Sequence, residues 1–136
     1  MRYPVVIHKD PDSDFGVSVP DLPGCVSGGA TVGEALDNVR EAIELHLEGM
    51  LMDGEPLPPP RSIETYLGDP SYRDGTWALV DVDLSRLDSK ARRINITVAE
   101  RVLALIDDAA RRENETRSGF LARVALEYIS RYRKAS

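Results

Sequence analysis

Arg93, Asn95 and Thr97 stand at alternate positions of the stretch RRINITV, residues 92–98, with Ile94, Ile96 and Val98 between them. A period of two sends successive side chains to opposite faces of an extended strand. One face of this strand would be apolar, and the other would carry a guanidinium, a carboxamide and a hydroxyl. Those groups suit the DNA major groove: Arg bonds guanine in bidentate fashion, Asn does the same with adenine, and Thr offers a hydroxyl and a methyl. A second set lies at Thr116, Arg117 and Ser118. Thr116 is placed to cap a helix whose free N–H groups and positive end suit a phosphate. Arg92, Arg111, Arg112 and Arg117 would add attraction that reads no sequence. Thr97 has a rival role, because Thr97-Val-Ala-Glu100 also fits a capping box in which its hydroxyl would cap a helix.

Other reactive residues group less well. Asp10, Asp12 and Asp14 cluster, but without the Gly and Glu of a calcium loop, so turn chemistry accounts for them. Asp81 and Asp83 alternate with apolar residues near the end of an expected strand, and both are expected to face solvent. His8 and His46 have no Cys or His at metal-ligand spacing, and Cys25 has no nearby His to activate it. The glycines of SGGAT lack the spacing of a phosphate loop. The reading is therefore of no catalytic residues, no metal and no cofactor. A carboxylate-based, metal-dependent nuclease stays open as an alternative.

The elements that would position these groups fall into two blocks. In residues 1–84, RYPVVIHK and DFGVSVPDL read as strands around a PDSD turn, and CVSGGA as a short third strand. Thr31-Val-Gly-Glu34 opens a helix as a capping box, and Val32, Leu36, Val39, Ile43, Leu47 and Met50 form its apolar stripe. Gly54 is placed to end it, and GEPLPPPRS must run extended. TWALVDVDL then returns to the same sheet as a strand, with Trp77, Leu79, Val82 and Leu84 as its alternating apolar residues and Val80 apolar as well. Residues 85–91 read as a hinge. After the opening strand of residues 92–136 come two helices, about 99–113 and 117–132. The second is expected to turn Phe120, Leu121, Val124, Tyr128 and Ile129 inward.

Charge divides the chain at the same place. Residues 1–90 hold 7 Lys+Arg against 17 Asp+Glu, net −10, whereas residues 91–136 hold 10 against 6, net +4. Different partners for the two blocks are implied. Some 45 residues are too few to bury a core alone, and an unpaired strand invites another chain. Two copies resolve both difficulties. Their strands pair antiparallel, their four helices share a core, and the ribbon shows Arg93, Asn95 and Thr97 twice. No run approaches the roughly 18–20 apolar residues of a membrane span. With one cysteine and no signal-like start, a cytoplasmic location is expected.

Residues 92–129 resemble a ribbon-helix-helix DNA-binding domain. The resemblance implies that Arg93, Asn95 and Thr97 read bases while Thr116 to Ser118 hold the backbone. Gly119 departs from the pattern, being a poor helix former early in a helix. Residues 3–60, with PDLPGC, a G-x-T helix start, EAL and EAI repeats and DGEPLPP, are similar to the N-terminal domain of HicB-type antitoxins, and DGTWALVDVDL matches that family's closing strand. This resemblance implies an α+β chain. A partial, catalytically empty RNase H-like β-β-(β)-α-β domain (1–84) is followed by a linker (85–91) and a ribbon-helix-helix (92–136). The implied function is a non-enzymatic antitoxin that masks a HicA-like basic mRNA-cleaving toxin and represses its own operon on operator DNA as a homodimer or tetramer. A ligand-responsive repressor without a toxin partner stays open beside it.

Overall fold

The computed structural model describes residues 1–87 and 92–135. Four antiparallel strands form one sheet, β1 (Arg2–Lys9), β2 (Phe15–Ser18), β3 (Val26–Gly29) and β4 (Thr76–Asp81), in the order β3-β2-β1-β4. Helix α1 (Val32–Met52) crosses one face, then a connector leads through two 3₁₀ turns to β4. The expected end signals operate. The Thr31 hydroxyl accepts the Glu34 N–H at 3.1 Å. At the other end Gly54 takes φ +69°, and the Gly54 and Glu55 N–H groups reach back to the Leu51 and Met50 carbonyls. That pair of bonds is the Schellman ending, and it needs a left-handed residue that glycine supplies without strain.

The core lies between α1 and the sheet. Ala35, Val39, Ile43 and Leu47 are fully buried against Tyr3, Val5, Ile7, Val17 and Val80. The expected stripe is rotated at its start, because Val32 is exposed and Ala35 takes the inner position. Gly29 explains this. A Cβ there would stand 2.6 Å from the Ala35 backbone nitrogen, so the helix start presses directly on the sheet. Burial also corrects the phase of β4. Tyr3 pairs with Val80 and Val5 with Ala78, so Val80, Val82 and Leu84 point to the core, while Trp77 and Leu79 lie on the other face. Both faces of that strand are apolar, so alternation alone does not choose between them. On this second face Trp77 stacks on Tyr66, 6.1 Å between centroids, and meets Tyr72 edge-on.

Residues 92–99 belong to no strand within the single chain; the strand expected there is one that pairs with a second copy. A strand is defined by ladder hydrogen bonds, and this segment is not part of the chain's four-stranded sheet. Helices α2 (Glu100–Arg112) and α3 (Arg117–Ala135) follow, joined by a turn in which Asn114 takes φ +54°. The face that α3 turns to its own chain is not the expected one. Ala122 and Leu126 pack on the N-terminal core and Phe120 and Leu121 are half-buried, while Val124, Tyr128 and Ile129 are exposed. A helix laid on a neighbour buries one stripe only, and the apolar residues left over need a different surface. The expected hinge begins in folded chain: Ser85 lies in a 3₁₀ turn (Leu84–Arg86) and Leu87 is buried. Its remainder, 88–91, lies outside the described residues.

Candidate functional site

Arg93, Asn95 and Thr97 are all exposed. Thr97 does not cap α2, whose N-cap is Ala99 with no side-chain bond, so its hydroxyl is left for other contacts. The apolar partners of these residues are equally bare. Ile94 is 72% and Ile96 64% exposed, and Val102, Leu105, Val124, Tyr128, Ile129 and Tyr132 on the following helices are exposed as well. Apolar surface on this scale marks an interaction site rather than ordinary surface.

The second expected set sits where the caps place it. The Thr116 hydroxyl accepts the Gly119 N–H at 3.0 Å and so caps α3. Thr116, Arg117 and Ser118 are exposed on the positive end of that helix. Arg117 grips Asp107 of α2 through two 2.8 Å bonds, which raise the guanidinium above its ordinary value and hold Asp107 below its own. The pair is solvent-facing. Arg112 and Arg111 lie against Asp108 at 2.6 and 3.8 Å.

Sequence reasoning missed the junction that joins the two blocks. Glu115, with its side chain 5% exposed, accepts from the Arg123 Nε at 2.9 Å and from the Met1 ammonium at 2.9 Å. Arg123 also bonds Glu127 at 3.0 Å. Burial pushes the Glu115 carboxyl up, but bonds from Arg123 and Met1 outweigh it and hold the group below the usual range. Beside this network, Asn114 reaches Asp81 and Thr116 reaches Asp83. Asp81 is exposed as expected; Asp83 is not a plain surface residue, since it is partly buried and also bonds Ser85. The i, i+4 spacing of Arg123 and Glu127 was visible in the sequence; the pairings across more than thirty residues were not.

The other sequence candidates stay apart. Asp10 and Ser13 bond each other within an exposed turn. Cys25 is buried, and burial pushes its thiol pKa up, away from the reactive thiolate. Among the described residues no three His, Cys, Asp or Glu side chains converge as metal ligands. No described helix is long and apolar enough to cross a membrane. Acidity concentrates on the outer face of α1, where Glu34, Asp37, Glu41, Glu44 and Glu48 recur at three- and four-residue steps opposite the buried stripe.

A sheet backed by one long helix and followed by two shorter amphipathic helices is the architecture of known antitoxins. Residues 3–125 match the HicB-like antitoxins of bacterial toxin–antitoxin systems, and the chain belongs to that family. An uncharacterized 14.9 kDa protein of Haemophilus phage HP1, from the rep-hol intergenic region, is 48% identical over 92% of this chain and 95% of its own length. The Burkholderia pseudomallei antitoxin HicB superposes with a TM-score of 0.76 at 46% identity, over 94% of this chain and 98% of that one. A chain of the HicA3–HicB3 toxin–antitoxin complex gives 0.53 at 34% identity, over 61% of this chain and 99% of its own.

Proposed function

We propose that this antitoxin is non-enzymatic, acts in the cytoplasm and has two tasks. Its N-terminal unit (1–84), a partial RNase H-like domain, binds a HicA-like mRNA-cleaving toxin and covers the active site. Its C-terminal unit (92–136) pairs with a second copy as a ribbon-helix-helix and represses the operon. The carrying observation is the exposed, unpaired segment 92–98. There Ile94 and Ile96 lie bare between Arg93, Asn95 and Thr97, beside helices that leave a second apolar face uncovered. An antiparallel pairing of two such segments buries the isoleucines against the four helices and turns the polar side chains outward as a ribbon that fits the major groove. Thr116 to Ser118 then meet the flanking phosphates. Association of N-terminal units would give a tetramer with two ribbons.

The toxin task is supported by the HicA3–HicB3 complex, whose matching chain corresponds in length to the N-terminal part of this one. Charge points the same way, because the acidic outer face of α1 complements a basic RNA-cleaving protein and speeds its encounter. The test has two arms. Stoichiometric antitoxin should abolish RNA cleavage by the toxin encoded beside it, and undiminished cleavage refutes the first task. Arg93→Ala or Asn95→Ala should lose roughly 1–3 kcal/mol of discrimination at one base pair per half-site, with neutralisation unchanged. An intact operator footprint in both variants refutes the base-reading assignment.

A further inference from the structure

Gly119 stands in the first turn of α3, where glycine is an unfavourable helix former. The structure supplies a reason for it. A Cβ built on Gly119 would lie 2.7 Å from Asp83 Oδ1 and 3.1 Å from the Thr116 hydroxyl. Only a residue without a side chain lets the carboxylate come so close. Asp83 Oδ2 accepts the Thr116 hydroxyl at 3.1 Å, and that hydroxyl in turn accepts the Gly119 N–H. Asp83 Oδ1 is steadied by the Ser85 N–H at 3.0 Å and the Ser85 hydroxyl at 2.6 Å. An oriented carboxylate from the end of the N-terminal unit therefore sits over the positive end of α3. Asn114 to Asp81 fastens the same turn one step away.

We propose that Asp83 is an internal latch that takes the place of a DNA phosphate, so that the start of α3 holds either Asp83 or the duplex. This rests on the DNA reading above and adds its regulation. Two anions cannot share the end of one helix, because like charges at contact distance repel. Operator binding must then draw on the unlatched fraction of molecules, and apparent affinity falls by that fraction. The plain alternative is that Asp83 only ties two parts of the chain together, with no effect on DNA.

Two substitutions open the latch by different routes. Asp83→Asn keeps the size and removes the charge. Gly119→Ala keeps the Asp83 charge but places a methyl 2.7 Å from its Oδ1, so the carboxylate must move off the start of α3, and a folding defect in one variant does not remove the test. Full-length protein is titrated by fluorescence anisotropy against the DNA upstream of its own gene and against random DNA, at one salt concentration, with Arg93→Ala as control. Both latch variants should bind both DNAs roughly three- to tenfold more tightly than the wild type, since phosphate contacts read no sequence. The double variant should gain no more than the stronger single one. Unchanged or weaker binding in both, with Arg93→Ala still losing the operator, overturns the latch and spares the DNA reading. Absence of operator binding in every protein, the wild type included, overturns both.

Discussion

Replacing Glu115 by Gln should loosen the junction between the two blocks, and the structure sets the size of the effect. The carboxylate is nearly inaccessible and faces two cations, Arg123 and the Met1 ammonium. Removing one member of a buried ion pair costs about 3–5 kcal/mol, because the other charge stays desolvated. Two features reduce that figure here. Gln keeps one carbonyl acceptor, and Arg123 retains Glu127 and some solvent. About 2–3 kcal/mol remains. With a urea slope of about 2 kcal/mol per molar, the unfolding midpoint should fall by roughly 1 M at pH 7, followed by circular dichroism. The pH dependence checks the cause. The Glu115 carboxyl is depressed in the folded chain, so its contribution is complete above its unfolded value of about 4.3 and is lost as pH falls through the folded one. The gap between wild type and variant should therefore close in acid. A gap that is equally wide at pH 7 and pH 3, or absent at pH 7, would refute the argument.

Three further outcomes are expected. Ile43→Ala opens a cavity under α1 where the side chain is fully buried, and should cost about 2–5 kcal/mol in a denaturant titration. Ile96→Glu places a charge on the face given to the second copy; light scattering should report a smaller assembly while Trp77 fluorescence shows the N-terminal unit unchanged, and an unaltered mass counts against the pairing. Gly54→Ala forces a Cβ into a left-handed residue (φ +69°), so thermal melting should reveal a loss of about 1 kcal/mol.

Where local chemistry decides, the sequence was enough. Thr31 capped α1, Gly54 ended it, the prolines of 56–60 kept the connector extended, and Thr116 capped α3. Each outcome depends on backbone hydrogen bonds within a few residues. The periodicity of α1 was legible too, apart from its first turn, where Gly29 lets the sheet come up against the Ala35 backbone. The face of β4 was misread because Trp77, Leu79 and Val80 are all apolar, and pairing with β1 makes the choice.

By itself the sequence determined the strands of the sheet, the three helices, the caps of α1 and α3, the charge division and the alternation of 92–98, since all of these are set by neighbours along the chain. Tertiary structure alone decided that α3 rests on the N-terminal core through Ala122 and Leu126 and that Glu115 closes an ion network with Arg123 and Met1. It also decided that Asp83 approaches Gly119. Apart from Glu115 with Arg123, such contacts join residues thirty to more than a hundred positions apart. Their energy comes from burial and geometry that no short-range pattern encodes.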